Sequence, residues 1–317
     1  MLTWRQAMQE ALYGPDGFYR RERPDGHFRT SVHASPLFAE AFARLLVAVD
    51  ADLGRPAAVQ VVDIGAGCGS LLRGILAAVP AELLDRIEAI AVEVSERPDE
   101  DGISWRTSPP TEITGLVIAN EWLDNVPLDL VELTTDGLRL VMADDSLGPP
   151  PSRADQDWVE SWWPLSAVGD RAEVGSSRDE AWSDVLARLT AGMAVAVDYA
   201  HEMSDRRVTL NGYRDGRVVR PVPDGSCDVT AHVALDACAA PGGLLTTQRE
   251  ALGNLGVSGA RPALDLARTD SRAYLRALSR AGEAAELTDP SGLGGFGWLI
   301  QPKAPVSLRS YPGSVPA

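Results

Sequence analysis

The sequence has little cysteine, little histidine and a deficit of positive charge. Its three cysteines, Cys68, Cys227 and Cys238, form no C-x-x-C pair, which argues against a disulfide framework and against a zinc knuckle. The four histidines show neither H-x-x-x-H nor H-E-x-x-H spacing, so no metal site is expected. Lys and Arg total 29 against 45 Asp and Glu, and the net charge of −16 opposes binding to nucleic acid or to anionic lipid.

Long apolar runs are also absent. No segment approaches the roughly 20 consecutive apolar residues that span a bilayer, and the first residues lack the apolar core of a signal peptide. Together with the unpaired thiols, this predicts a cytoplasmic protein. A hydrophobic content of 45% over 317 residues is nevertheless enough for one large folded domain that carries insertions.

Four short apolar segments predict buried strands, at residues 59–65, 89–94, 115–122 and 193–200. They lack polar alternation, as strands covered on both faces do, and each ends in acidic or amide side chains. Because helical lengths of chain separate them, they predict an α/β fold with a doubly wound parallel sheet. Residues 228–240, by contrast, predict a capped helix start followed by a helix.

The same patterns divide the chain into segments. A Pro- and Trp-rich stretch and a hairpin at Asp136-Gly137 interrupt the α/β rhythm, which indicates an inserted cap subdomain. The predicted organisation is an N-terminal helical arm at 1–55, the first half of the sheet core at 56–124, the cap at 125–190, the rest of the core at 191–304 and a tail at 305–317.

The strongest signal is a glycine-rich turn, D-I-G-A-G-C-G-S, directly after the first strand. A backbone that passes within contact distance of a nucleoside needs glycine, because a Cβ would collide or would forbid positive φ. Gly65, Gly67 and Gly69 follow G-x-G-x-G with Asp63 two residues earlier, whereas dinucleotide folds space their glycines G-x-G-x-x-G. This variant resembles motif I of class I methyltransferases, which bind S-adenosyl-L-methionine. The alternative is a turn that only packs strand against helix.

Polar side chains follow the next two strands. Glu93 ends the second strand, where an acid accepts hydrogen bonds from ribose hydroxyls. Glu121 or Asp124 can pair with a guanidinium and orient its nitrogen, while Asn120 can accept from a substrate N–H or contact the adenosine. His232 is a candidate general base, because an imidazole titrates near neutral pH. The alternatives are a solvated strand-end acid at Glu93, a turn cap at Asp124 and a backbone-bonded helix start at His232.

With these motifs in order, the chain resembles the methyltransferases of the complex I assembly factor 7 type, also called MidA-like. The resemblance covers nearly the whole chain, at residues 17–31, 63–70, 91–95, 118–127, 196–200, 228–233 and 292–301. It implies a Rossmann-like class I methyltransferase fold, S-adenosyl-L-methionine as cofactor and, for the eukaryotic members, symmetric dimethylation of a protein arginine. His33 departs from the family pattern, which has a glutamate at that position.

The predicted function is therefore S-adenosyl-L-methionine-dependent methylation, with a protein arginine as the family-implied acceptor. A small-molecule acceptor is the alternative within the same class. Two other classes share part of the signal: a nicotinamide oxidoreductase, although Ser70 replaces the third dinucleotide glycine, and an assembly factor that binds the cofactor without turnover.

Overall fold

A computed structural model describes residues 1–21, 31–95 and 97–311 of the chain. Its helices are α1 Trp4–Tyr13, α2 Phe18–Arg21, α3 Ser31–Ala34, α4 Pro36–Asp52, α5 Ser70–Ala78, α6 Ala81–Leu84, α7 Arg153–Trp162, α8 Ser176–Arg188, α9 Leu235–Cys238, α10 Gln248–Asn254, α11 Leu264–Thr269 and α12 Ser271–Leu287. Its strands are β1 Val59–Ile64, β2 Ile87–Val92, β3 Ile103–Arg106, β4 Ile113–Asn120, β5 Asp129–Thr134, β6 Gly137–Val141, β7 Arg171–Val174, β8 Leu189–Asp198, β9 Asn211–Arg214, β10 Arg217–Val219, β11 Asp228–Thr230, β12 Leu244–Thr247 and β13 Gly297–Lys303.

Seven strands form the central sheet, in the order β12-β13-β8-β4-β1-β2-β3. The five strands β8, β4, β1, β2 and β3 are parallel to one another. β13 is antiparallel to both of its neighbours, β8 and β12. The α/β prediction and the four predicted strands are confirmed, and β3 is a strand that the sequence patterns did not reveal. The strand order reverses between β1 and β4, and open α/β sheets bind ligands at the carboxyl edge of such a switch point.

Continuous apolar strands arise because both faces of the sheet are covered. Val61 packs in the cluster that contains α4 and α5, whereas its neighbour Val62 packs on the opposite face with Trp182 and Val185 of α8. Successive side chains of a strand point to opposite faces. Because both faces of β1 are covered, its sequence does not alternate between apolar and polar residues. The glycine turn after β1 is thereby anchored on a strand that is buried on both sides.

The N-terminal helices join this sheet to a smaller one. A capping box begins α1: the Thr3 side chain accepts from the Gln6 N–H, and the Thr3 N–H donates to the Gln6 side chain. The apolar face of α1 packs against Leu128 and Val229. The helix α4 begins at Pro36, and the Ser35 side chain caps it by accepting from the Leu37 N–H. Residues 22–30, which include most of the family-like segment near the N terminus, lie outside the described residues.

Two three-stranded sheets complete the fold, β6-β5-β7 and β10-β9-β11. The first contains the predicted hairpin, whose strands pair up to Thr134 and Gly137. The second corrects the sequence analysis: Asp228–Thr230 is not a helix start but the strand β11, and only Leu235–Cys238 is helical. The hairpin of β9 and β10 offers β11 an antiparallel partner, and that tertiary pairing overrides the local helix signal. The segment boundaries proposed above stay a prediction.

Candidate functional site

A cavity of about 420 Å³ opens at the carboxyl ends of β1, β2 and β4. Its walls include all but one of the residues that the sequence assigns to the cofactor: Asp63, Gly65, Gly67, Glu93 and Asn120. A volume of this order is typical of small-molecule and cofactor sites. The exception is Gly69, which precedes the first turn of α5. The fold therefore gathers the predicted cofactor residues at the switch point.

The three glycines of the turn have left-handed φ angles of +72°, +55° and +78°. A Cβ on Gly65 would lie 2.9 Å from the Trp122 ring, and one on Gly69 would lie 3.1 Å from the Trp105 ring. A Cβ on Gly67 would meet no protein atom within 4 Å, although Gly67 lines the cavity. Packing thus accounts for two of the glycines, whereas Gly67 leaves backbone exposed to a ligand.

Glu93 links the glycine turn to the end of β2. Its carboxylate accepts hydrogen bonds from the Gly67 N–H at 2.9 Å and from the Val94 N–H at 2.8 Å. Burial raises the pKa of Glu93, and these two backbone donors oppose the rise. Burial raises the pKa of Asp63 to about 8, and repulsion from Glu93 contributes to this rise. Glu93 is therefore a fixed wall of the cavity and differs from a freely solvated strand end.

Asn120 and Glu121 stand where β4 ends. Glu121 has a φ of +50°, an uncommon angle for a residue with a side chain, and its N–H is bonded to the Val197 carbonyl at 2.8 Å. The Asn120 amide donates to the Glu121 carboxylate at 3.1 Å. The Asn120 Oδ1 atom is buried and has no hydrogen-bond partner within the described ranges. Strained backbone thus holds two polar groups against the cavity.

A second cavity, of about 70 Å³, adjoins the first, and the two share Tyr19, Glu121 and Asn125. We call it the acidic cavity, because three carboxylates line it: Glu121, Asp124 and Asp228. The rings of Tyr19, Tyr199 and Tyr213, together with His232, form much of the remaining wall. The four residues assigned to catalysis from the sequence therefore lie around two connected spaces.

One carboxylate of the acidic cavity has an oxygen without a hydrogen-bond partner among the described residues. Asp124 accepts from the Thr230 hydroxyl at 2.6 Å through Oδ2, while its buried Oδ1 has no partner in the described part of the chain. Asp228 accepts from the Tyr19 hydroxyl at 3.1 Å and from the Asn125 amide at 3.0 Å. Burial, followed by repulsion from Asp124, raises the pKa of Glu121 to about 7 and that of Asp228 to about 7. A cation bound in this cavity would lower the pKa values of these carboxyl groups and so favour their ionised form.

His232 does not begin a helix. It follows β11, its backbone N–H donates to the Thr209 hydroxyl at 2.8 Å, and its ring stacks on Tyr199 with centroids 5.6 Å apart. Burial, followed by repulsion from Arg207 and Arg178, lowers the pKa of His232, so its imidazole is neutral at pH 7. It can therefore accept a proton inside the acidic cavity.

Several site residues escaped the sequence analysis. Asp228 and Tyr199 lie within family-like segments, so a closer inspection of those segments could have found them. Tyr213 and Arg178 stand in polar stretches without any motif. Asp198 ends β8 and accepts from the N–H groups of Leu123, at 2.9 Å, and Asp124, at 3.2 Å, which fixes the turn after β4.

No helix among the described residues is long and apolar enough to cross a membrane. Within the same residues, no group of three or more His, Cys, Asp and Glu side chains could hold a metal ion. Cys68, Cys227 and Cys238 are free thiols.

Comparisons with known proteins agree with this geometry. A family model described as "Putative S-adenosyl-L-methionine-dependent methyltransferase" matches residues 41–246. The mitochondrial protein arginine methyltransferase NDUFAF7 of Xenopus tropicalis is 24% identical over an alignment of 319 positions, which covers 81% of this chain and 72% of the relative. A crystal structure from Burkholderia thailandensis with bound S-adenosyl-homocysteine is 22% identical, covers 98% of this chain and 90% of its own, and superposes with a TM-score of 0.78. A native structure from the same organism gives a TM-score of 0.76 with the same coverage and identity.

Replacing Gly67 by valine should abolish binding of S-adenosyl-L-methionine, measured by calorimetry, because the new side chain would project into the larger cavity. The matched control is Gly102→Val, since Gly102 has a similar φ of +75° and also has no atom within 4 Å of a built Cβ. Both variants carry the same backbone strain, so only the first should lose the ligand. Equal affinities in the two variants would contradict the assignment of Gly67.

Replacing Glu93 by alanine should weaken the same binding by about 1–3 kcal/mol, the range expected for hydrogen bonds to a charged group. Glu88→Ala serves as the control, because Glu88 belongs to the same strand but is exposed. If the two variants bind the cofactor as tightly as each other, Glu93 has only a structural role.

Glu121→Gln should stabilise the ligand-free protein at pH 8 but not at pH 5. The folded-state pKa of Glu121 is about 7 against an ordinary 4.5, so this carboxyl destabilises the fold progressively as pH rises through that interval. The glutamine has no proton to lose. Melting temperatures at the two pH values provide the measurement, and an equal shift at both would refute the electrostatic explanation.

Proposed function

The chain belongs to the family of S-adenosyl-L-methionine-dependent methyltransferases, and from that premise we propose that its acceptor is the guanidinium group of a protein arginine. The observation that carries the proposal is the acidic cavity, which joins the cofactor-sized cavity at Glu121. The name of the Xenopus tropicalis relative supports the same acceptor.

The larger cavity suits the cofactor in size and in chemistry. Gly67 leaves room for close approach, Glu93 can accept from ribose hydroxyls, and the buried Asn120 Oδ1 still needs a donor. Bound here, S-adenosyl-L-methionine would supply a methyl group on a sulfonium sulfur. The remaining polar wall, Asp63, lies buried at the end of β1 beside Glu93.

The acidic cavity suits a planar cation. A guanidinium is rich in N–H donors, and the Asp124 Oδ1 atom and the Glu121 carboxylate are acceptors that face this space. The tyrosine rings of the wall can contact its faces. A cation is also the ligand that lowers the cost of holding three ionised carboxylates together. A neutral acceptor would leave that cost uncompensated.

Glu121 is placed to orient the nucleophile because it lines both cavities. In the transfer, a nitrogen–carbon bond forms as the carbon–sulfur bond breaks, the electron pair of that bond stays on sulfur, and the nitrogen loses one proton. Glu121 can take this proton, since its pKa is raised to about 7, and the neutral imidazole of His232 is a second acceptor in the same cavity. Asp124 holds the substituted guanidinium throughout.

His33 lies in the wall of the larger cavity rather than in the acidic one. The departure from the family glutamate therefore leaves the three carboxylates of the acidic cavity in place. We also propose a reducing compartment, the cytoplasm, as the location of the protein, since its three cysteines are free thiols.

The test is to incubate the protein with a cell extract and methyl-labelled S-adenosyl-L-methionine, and to identify the labelled molecules by mass spectrometry. We expect label on arginine side chains of protein. Glu121→Gln and Asp124→Asn should each reduce the labelling at least about tenfold while cofactor affinity changes little, because both carboxylates would hold the acceptor guanidinium and both amides keep the shape of the side chain.

Label found only on small molecules would replace the arginine proposal with a metabolite methyltransferase. The absence of any label, with cofactor binding intact, would favour a binding protein without turnover. His33→Glu is a further comparison: an increase in arginine labelling would show that the family-like acid also contacts the acceptor.

A further inference from the structure

A buried arginine, Arg178 of α8, lies behind the acidic cavity and is only 2% exposed. Its guanidinium donates to three backbone carbonyls: Nε to Val126 at 3.2 Å, Nη1 to His232 at 2.7 Å and Nη2 to Asp124 at 2.7 Å. The planar guanidinium fixes the relative directions of these donors. One side chain thus sets the spacing of three carbonyls.

The three carbonyls belong to two segments far apart in the sequence. Asp124 belongs to the short 3-10 helix Leu123–Asn125, and Val126 follows that helix. His232 follows β11. These two segments carry two of the proposed acceptor contacts, Asp124 and His232, and the Thr230 hydroxyl that donates to the Asp124 carboxylate. Besides Arg178, they are joined by the Ala231 N–H, which donates to the Asp124 carbonyl at 3.2 Å.

Arg178 also supplies positive charge where carboxylates accumulate. Because the hydrogen bonds described for it go to neutral carbonyls, its charge acts on Asp124, Asp198 and Glu173 through space. Burial raises the pKa of Asp124 and of Asp198, and Arg178 lowers both. The other titratable groups that face Asp124 or share its cavity are Glu121, Asp198, Asp228, Tyr13, Tyr19, Tyr199, Tyr213 and His232. Each of these is neutral or negative, so the cationic contribution comes from Arg178.

We propose that Arg178 is a positioning residue for the methyl acceptor: it holds the Asp124 and His232 segments in register and provides the charge that Asp124 faces. The inference rests on the proposed function, since it concerns binding of a guanidinium in the acidic cavity. A residue needed only for packing would not require a buried cation, because an apolar side chain of similar volume fills such a space at lower cost.

Two substitutions separate geometry from charge. Arg178→Lys keeps the charge but cannot reproduce the three-carbonyl geometry, whereas Arg178→Met removes both. The control is Arg153→Met, which changes an exposed helical arginine. The probe is ethylguanidine, titrated by calorimetry from pH 5.5 to 8.5 in the presence of saturating S-adenosyl-homocysteine.

We expect S-adenosyl-homocysteine affinity within about twofold of wild type in all three variants. Arg178→Lys should weaken ethylguanidine binding at least fivefold at pH 8 without moving its pH midpoint. Arg178→Met should also move that midpoint upward by at least about half a pH unit, because Asp124 then ionises without its cation. Tighter binding of ethylguanidine to Arg178→Met at every pH would show that Arg178 only repels the acceptor, and would overturn the proposal.

A second measurement does not depend on the acceptor or on the folding of the methionine variant. In Arg178→Lys, hydrogen exchange at the Leu123, Asp124 and Ala231 amides should rise at least about tenfold, with exchange in β1 unchanged. If wild type fails to bind ethylguanidine but these amides respond, the proposed acceptor is wrong and the positioning role stands. If the amides of Arg178→Lys exchange as in wild type, the positioning role is wrong, whatever the acceptor.

Discussion

The crowding of buried carboxylates at the carboxyl edge of the sheet is the interaction on which the site depends. Burial raises the pKa of Glu121, Asp124, Asp198 and Asp228, and the charge of Asp124 adds to the rise at the other three. Such a cluster is costly in a protein without its ligand, and stability alone gives no reason to retain it. A cationic acceptor gives that reason, because its charge replaces the protons that the carboxylates would otherwise keep.

The fold brings these groups together through the ordinary geometry of a parallel sheet. β4 and β8 are neighbours, so Asn120 and Asp198, the last residues of the two strands, lie at the same edge. Asp198 then binds the N–H groups that follow β4, and the strained backbone at Glu121 turns the chain between the two cavities. The cofactor turn after β1 lies on the other side of β4. The proposed transfer between the two adjoining cavities follows from this strand order.

The residues that line the larger cavity, the proposed cofactor site, could be gathered from the sequence because their signals are local. Gly65, Gly67 and Gly69 follow a strand within one turn, and their spacing reports a backbone constraint directly. The acceptor half depends on contacts between distant segments. Arg178 stands in the polar stretch S-S-R-D-E, which by itself suggests a solvated helix, and it is buried because Trp182 on the same helix packs into the sheet. Asp228 looks like a helix cap until β9 pairs with its strand.

The central claim, that carboxyl groups in the acidic cavity release their protons to solvent when a cationic acceptor binds, has a direct thermodynamic test. Ethylguanidine binding to the complex with S-adenosyl-homocysteine is measured by calorimetry at pH 6.5 in buffers of different ionisation enthalpy, whose slope gives the protons exchanged. Release of about one proton on binding is the predicted result, since Glu121 and Asp228 have pKa values of about 7 before the cation enters. Binding with no proton release, or with uptake, would contradict the account.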